Sequence, residues 1–359
     1  GCMMKVKENV DRIKKSFPYV DLVFDPQQIH LFPVLLRDCL RRKKQLVNIS
    51  AEDYIADDSM IPVTRLRKFR ALVPIMYGCN NLCSFCIVPY TRGRERSRDF
   101  SSVVEEVRSL GEKGYKEVML LGQNVNSYGK NLDEPVTFSQ LLEEVCKIEG
   151  LQRVRFMTSH PKDLSDDLIR VMKENKKICR HMHLPLQSGS SRLLQDMNRR
   201  YDKEKYLSLV DKLREAMPDI AITTDIIVGY PGETEEDFLE TVDVCEKVGF
   251  NSAFTFIYSP RTGTPAAAKE QIPEDITKHR FQRLLRVVQE KGQQKTAEMT
   301  GNIEEVLVEQ VNEHDASLVT GRCDNNTLVH FKGDASLIGR IVSVKLTECK
   351  GFYFMGEQV

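Results

Sequence analysis

The chain has 359 residues, of which 41% are hydrophobic and 29% are charged, a composition typical of a globular protein with two or three domains. No apolar run approaches the roughly 20 residues that a membrane-spanning helix needs, so the sequence predicts a soluble protein with no membrane segment. The chain has 52 basic residues (Lys and Arg) and 52 acidic residues (Asp and Glu), so its formal net charge is zero. Net charge therefore gives no evidence for nucleic-acid binding, which would have to rest on local basic patches.

The first 62 residues are expected to be the remnant of an α/β domain together with a linker. They begin GCMMKVKENV, with neither a Met at position 1 nor the apolar core of a signal peptide, so we expect a longer parent protein. A strand is predicted over 19–24, a helix over 32–43 and a polar connection over 46–62. The ten cysteines are too sparse for a disulfide-rich secreted domain, which favours a reducing, cytoplasmic location.

The middle of the chain alternates short β-branched runs with amphipathic segments, a pattern typical of repeated βα units and a parallel sheet. Helical patterns follow the predicted strands; Ser102 and Glu105 form a predicted capping box for one helix, and Thr234 is a predicted N-cap for another. We assign 63–298 to this region. Six strands are predicted, at 71–76, 117–122, 153–159, 181–186, 221–229 and 252–259.

The pattern changes after Glu298 to short alternating strands broken by Gly, Asn and Asp. Their spacing predicts a small antiparallel β-barrel over 299–359. Small barrels of this kind present strand faces and loops suited to RNA, and the segment 321–331 is a candidate RNA surface.

Three cysteines follow the first predicted strand of the parallel region with the spacing C-x3-C-x2-C: Cys79, Cys83 and Cys86. Active sites of parallel βα barrels collect at the ends of the strands where this loop lies. Three soft thiolates suit a cubane iron–sulfur cluster with one iron left open. A zinc site with a distant fourth ligand, or three core cysteines, are the alternatives.

This motif, with Phe85 before its last cysteine, resembles that of the radical S-adenosylmethionine (SAM) enzymes. The resemblance implies a partial parallel (β/α)6 barrel and a [4Fe-4S] cluster on the three cysteines. It also implies that the open iron binds the amino and carboxylate groups of SAM, and that one electron cleaves SAM to methionine and a 5′-deoxyadenosyl radical.

Within that superfamily the chain resembles the MiaB family of methylthiotransferases, which make 2-methylthio-N6-isopentenyladenosine in tRNA. The resemblance covers nearly the whole chain and ends in a TRAM-like domain. The segments that carry it include GCM, PYVDLVF, YTRGRERSR, LLGQNVNSYG, RFMTSHP, HLPLQSGSSRLLQDMNR and TTDIIVGYPGETEEDF. Two sister families, which act on threonylcarbamoyl-adenosine or on ribosomal protein S12, share the cysteine motif and remain alternatives.

The family resemblance implies a second, auxiliary [4Fe-4S] cluster that donates sulfur, held by Cys2 and two cysteines upstream of Gly1. It implies tRNA, through its anticodon stem-loop, as the partner, an electron donor such as flavodoxin or ferredoxin, and possible help from a cluster-repair carrier. We expect a monomer. A non-catalytic RNA-binding protein with a redox-sensing cluster is the rival interpretation from another functional class.

Polar residues just beyond the predicted strands are candidates for contacts to SAM. The GYPGE segment resembles the family's backbone contact for adenine, although a tight turn explains it equally, and Arg199 or Arg200 could bind the SAM carboxylate. His181 and His183 lie on the same face of a predicted strand. They could be polar residues of a ligand pocket, or they could simply pack the interior of the barrel. The candidate cofactor-binding residues are Gln123, Asn124, Ser159, Gln187, Ser188, Arg200, Gly229 and Gly232.

Four arginines after Cys86 form a basic loop that could position RNA phosphates, with a solvated surface loop as the plain alternative. These candidate RNA-binding residues are Arg92, Arg94, Arg96 and Arg98. We interpret the remaining cysteines as structural: Cys39, Cys146, Cys179, Cys245, Cys323 and Cys349.

Overall fold

The computed structural model describes residues 1–42, 44–50 and 63–359, and the chain divides into two compact units. No helix in these described ranges is both long and apolar enough to span a bilayer. The first unit comprises Gly1–Leu66, Tyr77–Arg96 and Pro260–Ala267, and the second comprises Arg67–Met76, Ser97–Ser259 and Ala268–Val359.

The first unit begins with a small α/β element, as predicted. Its elements are helix α1 (Lys7–Ser16), strand β1 (Leu22–Phe24), helix α2 (Phe32–Arg42) and strand β2 (Leu46–Asn48). β1 and β2 pair in parallel, with Leu22 opposite Leu46. Because β2 lies in the segment that we expected to be a polar connection, that expectation is wrong for 46–48; residues 51–62 lie outside the described residues.

The second unit contains the six predicted parallel strands. The first is β3 (Arg70–Pro74). Strand β4 (Met76–Tyr77), helix α3 (Val88–Arg92) of the first unit and strand β5 (Arg96–Ser97) follow it in the chain, and β4 pairs with β5. The others are β6 (Glu117–Leu121), β7 (Arg153–Phe156), β8 (His181–His183), β9 (Ala221–Val228) and β10 (Ser252–Ile257).

These strands form a partial barrel, which confirms the predicted fold class. Three strands lie in the order β3-β6-β7 and three in the order β10-β9-β8, and a parallel bridge between Val154 and Ile178 connects the two groups. β3 and β10 are therefore the edges. The strands end earlier than predicted where the backbone changes direction; β7, for example, ends at Phe156, and Thr158 has a φ of 70°.

Seven helices of the second unit accompany the strands: α4 (Phe100–Glu112), α5 (Phe138–Lys147), α6 (Asp166–Glu174), α7 (Ser191–Asp196), α8 (Lys203–Ala216), α9 (Glu235–Val248) and α10 (Glu274–Ala297). Thr234 caps α9 as predicted, with its side chain accepting a hydrogen bond from the amide of Asp237. The predicted capping box at Ser102 is wrong. The helix begins earlier, at Phe100, and Asp99 is its N-cap, accepting from the amide of Ser102 at 2.8 Å.

Alternation along the strands separates a packed outer face from an open inner face. Val73, Leu120 and Val154 are fully buried in the main hydrophobic core, which the helices complete. Leu72 and Phe254, on the edge strands, are 54% and 52% exposed. The incomplete barrel therefore leaves apolar and polar inner-face residues accessible near its edges.

The C-terminal segment forms a closed five-stranded barrel, as the sequence predicts. Its strands are β11 (Ile303–Val311), β12 (Leu318–Arg322), β13 (Leu328–Lys332), β14 (Ile341–Cys349) and β15 (Tyr353–Gln358). The order is β11-β12-β13-β15-β14, and β14 closes onto β11. The pair β13 and β15 is parallel, which the prediction of a wholly antiparallel barrel missed.

A buried ionic network attaches this small barrel to the amino-terminal edge of the parallel strands. Glu117, fully buried, contacts Arg70 and Arg155 at 2.5 and 2.9 Å. Arg70 also pairs with Glu309 of β11, and Arg153 donates to the carbonyl oxygen of Arg322 at 2.8 Å. Active sites of βα barrels lie at the opposite, carboxyl edge, so this network fixes the two barrels together without occupying that edge.

Candidate functional site

The three motif cysteines lie in one loop of the first unit, which begins two residues after β4. Cys79 and Cys83 are buried and Cys86 is half-buried. The amide of Asn81 lies 3.4 Å from the Cys79 sulfur, and the amide of Cys86 donates to the carbonyl of Cys83 at 3.0 Å. Burial, with smaller contributions from the charges of Glu95, Cys83 and Cys86, raises the pKa of Cys79 to about 11.

Local backbone geometry explains why the loop folds in this way. Gly78 has a φ of 70°, and a Cβ at this position would overlap the carbonyl group of Arg94, so only glycine fits. The amide of Cys79 donates to the carbonyl of Gly93 at 3.1 Å. A second segment of the first unit reaches the same loop, since the amide of Ala266 donates to the carbonyl of Ser84 at 2.9 Å.

The three thiols of this loop are a donor set that fits a cubane iron–sulfur cluster. Within the described residues, no three His, Cys, Asp or Glu side chains are placed to share one metal ion. In a cubane each thiolate binds a different iron, so its sulfurs stand farther apart than the ligands of one ion. Soft thiolates and an amide directed at one sulfur are the features that iron–sulfur clusters use.

Cys2 lies beside the basic loop rather than alone at a terminus. It begins a 3₁₀ turn, Cys2–Lys5, and the Nε of Arg92 donates to its sulfur at 3.0 Å. From the sequence, Cys2 is expected to be a cluster ligand and Arg92 an RNA contact. Their pairing places a positive charge and a hydrogen-bond donor on the only cysteine predicted to ligate the auxiliary cluster from within this chain.

The other three arginines of the basic loop differ in environment. Arg94 is exposed and Arg96 is half-buried. The guanidinium of Arg98 donates to the carbonyl of Pro74 at 2.8 Å and to Glu106 at 2.7 Å. These contacts favour a structural role for Arg98, and they leave Arg94 as the member of the set best placed for phosphate.

Two predicted cofactor residues at the end of β6 carry unsatisfied amide oxygens. The Oε1 of Gln123 and the Oδ1 of Asn124 are buried and have no hydrogen-bond partner among the described residues. The Nδ2 of Asn124 donates to Asp163 at 2.7 Å. Buried amide groups without partners are costly, so these oxygens fit a site that a polar ligand completes. Asp163, which positions Asn124, was missed at the sequence level.

The predicted residues after β7 and β8 are already engaged in the fold. The hydroxyl of Ser159 lies 3.8 Å from the sulfur of Met182, which is a weak contact. Gln187 has a φ of 67°, and its backbone pairs with β9. The hydroxyl of Ser188 lies 3.3 Å from that of Thr241. Of these three, Ser159 and Gln187 keep side-chain capacity for a ligand.

The GYPGE segment forms the tight turn that its glycines predict. Gly229 has a φ of 76°, and a Cβ there would overlap Thr277. Gly232 has a φ of 84°, with no atom within 4 Å of a hypothetical Cβ. Burial raises the pKa of Glu233 to about 7 despite its contact with Arg280 at 2.9 Å. The turn explains both glycines without a ligand, and Gly232 also leaves open space for one.

Arg199 and Arg200, the alternatives for a carboxylate contact, separate in the structure. Arg199 is buried, and its Nε donates to the hydroxyl of Tyr201 at 3.0 Å. Arg200 is exposed and lines an open cavity of about 610 Å³ together with Arg192. The exposed position of Arg200 is compatible with anion binding, which stays a prediction.

A chain of polar side chains crosses the inner face of the barrel. The hydroxyl of Thr223 is hydrogen-bonded to Nε2 of His181 at 3.1 Å and to Nδ1 of His183 at 3.0 Å. Nε2 of His183 lies 3.4 Å from the carboxylate of Asp225. Burial, together with the charge of Arg155, lowers the pKa of His181 to about 3. The sequence identified the histidines but missed Thr223 and Asp225, although the alternation of TTDIIV along β9 puts both on the histidine face.

Comparison with known proteins identifies two domains. The pattern of the radical SAM superfamily matches residues 73–245, and that of the TRAM domain matches residues 297–359. The tRNA-2-methylthio-N(6)-dimethylallyladenosine synthase of Lachnoclostridium phytofermentans is 59% identical over 361 residues, covering 100% of this chain and 79% of that protein. Enzymes of the same name from Thermoanaerobacter sp. (strain X514) and Clostridium perfringens (strain SM101 / Type A) are each 51% identical, with 76% and 80% of their lengths covered.

Proposed function

The chain belongs to the family of tRNA-2-methylthio-N6-dimethylallyladenosine synthases, which are radical SAM methylthiotransferases, and on that premise we propose its substrate and reaction. The substrate is N6-isopentenyladenosine at position 37 of tRNA, next to the anticodon, and the reaction replaces C2–H with C2–SCH3. The observation that carries this proposal is the 59% identity with a synthase of that name across the whole chain.

We assign Cys79, Cys83 and Cys86 to a [4Fe-4S] cluster. When bound, this cluster supplies the electron that cleaves SAM, and the resulting radical removes the hydrogen from C2 of the adenosine. The protein contributes the three thiolates, the amide of Asn81 directed at the Cys79 sulfur, and a loop geometry that requires Gly78.

Polar side chains at the strand ends are the proposed SAM contacts. The unpartnered oxygens of Gln123 and Asn124 support this role, because both accept hydrogen bonds and the SAM amino group donates them. Ser159 and Gln187 are buried and are proposed on the remaining hydrogen-bond capacity of their side chains, and Arg200 is proposed on its exposure. The turn at Gly229 and Gly232 is the proposed backbone contact for adenine, and Ser188 completes the set proposed from the sequence.

The isopentenyl group has a suitable apolar environment on the inner face of the barrel. Leu72, Phe254 and Phe256 are each more than half exposed there, although they lie on strands whose outer faces are packed. Burying five carbons at about 0.8 kcal/mol per CH2 would supply several kcal/mol in favour of the prenylated base. The target base leaves the loop stack to enter, at a cost of a few kcal/mol.

The source of sulfur is proposed to be an auxiliary [4Fe-4S] cluster with Cys2 among its ligands. A separate SAM molecule would give its methyl group to that sulfur and leave as S-adenosylhomocysteine. The hydrogen bond from Arg92 to the Cys2 sulfur supports a role for this thiolate, since donors to cluster sulfurs tune their potential. Flavodoxin or ferredoxin as electron donor, a cluster-repair carrier, a monomeric state and a cytoplasmic location complete the proposal.

We also propose that RNA binds through the exposed part of the basic loop and through the C-terminal barrel. Arg94 and the barrel segment 321–331 carry this proposal; Arg92, Arg96 and Arg98 have other contacts or less exposure. The proposed domains are 1–62, 63–298 and 299–359, respectively the remnant with its linker, the radical SAM barrel and the TRAM-like barrel.

A substrate comparison with the whole protein tests the proposal. An anticodon stem-loop RNA that carries isopentenyladenosine is expected to gain a methylthio group, while the same RNA with adenosine is poor or inert. Both RNAs are incubated anaerobically with SAM and a reductant, and their nucleosides are analysed by mass spectrometry. Equal turnover of the two RNAs would contradict the substrate assignment, and activity on threonylcarbamoyl-adenosine alone would assign the sister reaction.

A further inference from the structure

We propose that a cavity at the carboxyl ends of β6 and β7 binds a phosphodiester group of the substrate RNA; this inference rests on the proposed function. The cavity, here called the β6–β7 cavity, has a volume of about 290 Å³. Its polar lining includes Asn126, Lys130, Thr137, Lys162, Asp163 and Ser165. None of its lining residues belongs to the arginine loop or to the C-terminal barrel, the two RNA surfaces that the sequence suggests.

Asn126 provides the first sign of a ligand. Only 8% of this residue is exposed, and neither the Oδ1 nor the Nδ2 of its amide has a hydrogen-bond partner among the described residues. An amide that is buried without partners costs free energy unless a ligand or ordered water completes it. Because Asn126 lines the β6–β7 cavity, a group bound there is positioned to supply the missing hydrogen bonds.

The charges in the cavity favour an anion. Lys130 and Lys162 lie 2.7 and 3.9 Å from the same carboxylate, that of Asp163. That carboxylate also accepts a hydrogen bond from Asn124. Two ammonium groups therefore share one carboxylate, and the positive charge around it exceeds the negative charge. The side chain of Lys130 is 61% exposed and is therefore free to reach a ligand that enters from solvent.

Two helices point their amino-terminal ends at the same cavity. Thr137 is the N-cap of α5 and Ser165 is the N-cap of α6, and both line it. The amino-terminal end of a helix carries partial positive charge and favours a phosphate or carboxylate. The two carboxylates in the first turn of α6, Asp166 and Asp167, lie outside the lining and pair with Lys212 and Arg170.

The size and position of the cavity favour one phosphodiester with part of its ribose. Pockets for small-molecule ligands typically span 300–1,000 Å³, so about 290 Å³ is near the lower limit and too small for a nucleotide cofactor. The apolar side chains of Val136, Phe138 and Leu164 also line the cavity and suit the sugar. Through Asp163, the cavity is one hydrogen bond from Asn124, so an RNA strand bound here would pass close to this proposed SAM contact.

A binding experiment with chemically altered RNA tests this site. The ligands are anticodon stem-loops in which one phosphate at a time is replaced by an uncharged methylphosphonate. The proteins are the wild-type chain, the double variant Lys130→Ala/Lys162→Ala, and Asn126→Asp, in which a carboxylate repels phosphate. Lys147→Ala is the matched control, because Lys147 is an exposed lysine of α5 whose ion pair is with Glu144.

We expect the double lysine variant to bind unmodified RNA about tenfold more weakly, and Asn126→Asp to bind it more weakly than wild type. One lost phosphate contact reduces the slope of log affinity against log salt concentration by about 0.7–0.9. One methylphosphonate position is expected to weaken wild-type binding and to have no further effect on the double variant. Lys147→Ala should behave as wild type at every position.

The site would be overturned if every methylphosphonate weakened binding equally in the wild type and in the double variant, and if the double variant bound unmodified RNA with wild-type affinity and salt slope. The cavity would then hold only water. If the wild type binds the RNA and this result is obtained, only the inference about the cavity is refuted. Wild-type protein with no affinity for the RNA would refute the proposed function, and the site with it. Both lysines have solvent-exposed side chains, so the double variant is expected to fold, which its thermal melting curve checks.

Discussion

At the scale of single residues, the cysteine motif is the most specific element of the site. We predict that Cys83→Ala abolishes SAM cleavage and lowers the iron bound after reconstitution from about four per chain, because a cubane needs all three thiolates. Cys146→Ala is the matched control, since Cys146 is another buried cysteine, in α5, with no predicted ligand role. Iron analysis and 5′-deoxyadenosine formation measure the outcome, and retained cleavage in Cys83→Ala would contradict the cluster assignment.

Two arginines of the same loop are predicted to respond differently to substitution. Arg94→Gln should weaken tRNA binding with little change in stability, because the side chain is exposed. Arg98→Gln should instead lower the free energy of unfolding by about 1.5–3 kcal/mol, the worth of a hydrogen bond to a charged group, since Arg98 contacts Glu106 and the carbonyl of Pro74. Urea unfolding and RNA titration separate the two effects; the reverse pattern would show that the loop binds RNA through Arg98.

The buried histidine of the inner face predicts a pH dependence of stability. His181 has a folded-state pKa of about 3, below its unfolded value of about 6.5, so the unfolded state binds the proton first as the pH falls. Stability is therefore full above pH 6.5 and decreases below it, by about 2 kcal/mol at pH 5.

Urea midpoints at pH 7.5 and 5 measure this effect. The wild type is expected to lose about 2 kcal/mol more than His181→Gln over this range. The control His279→Gln, at an exposed histidine of α10, should lose as much as the wild type. Equal losses in the wild type and in His181→Gln would mean that His181 does not titrate as its burial indicates.

Residue types and spacing identify these residues only in part. The cysteine motif carries its proposed chemistry in its spacing, so the sequence alone is enough to propose the three ligands. The bond between Arg92 and Cys2 joins positions 90 residues apart, and no local pattern contains it. Asp163 was missed for the same reason: its role is to hold Asn124, which lies 39 residues earlier.

At the scale of elements, the network at the amino edge of the strands is predicted to hold the small barrel to the large one. Burial opposes ionisation of Glu117, but the charges of Arg155 and Arg70 outweigh it and keep its pKa below the usual range. Glu117→Ala leaves the buried Arg155 without its paired carboxylate, while Arg70 keeps Glu309, and should lower the free energy of unfolding by about 3–5 kcal/mol.

Chemical unfolding monitored by far-ultraviolet circular dichroism measures the loss in free energy of unfolding. The control Glu105→Ala removes an exposed carboxylate that pairs with Arg108 on α4, and it should have little effect because exposed pairs contribute little. Equal stabilities of the two variants would contradict a structural role for the network. A separate early transition of the C-terminal barrel in Glu117→Ala would show directly that the network couples the two barrels.

Strands and helices could be predicted from the sequence where the spacing of hydrophobic residues was regular, and their ends were predicted less well. The strands β3 and β6 to β10 lie within the short apolar runs from which they were predicted, and the sequence located all six. The helix start at Asp99 was missed because Asp99 and Ser102 are both good caps and only the helix length decides between them. The parallel pairing of β13 and β15 depends on how the barrel closes, which hydrophobic alternation does not encode.

At the scale of the whole molecule, the central claim is that this protein adds the methylthio group to isopentenyladenosine in tRNA. The measurement that tests it most directly is mass spectrometry of total tRNA nucleosides from cells that lack the protein. The account predicts that 2-methylthio-N6-isopentenyladenosine disappears, that N6-isopentenyladenosine accumulates in its place, and that the wild-type gene restores the modification while the Cys83→Ala gene does not. An unchanged nucleoside profile, or the loss of methylthio-threonylcarbamoyl-adenosine instead, would contradict it.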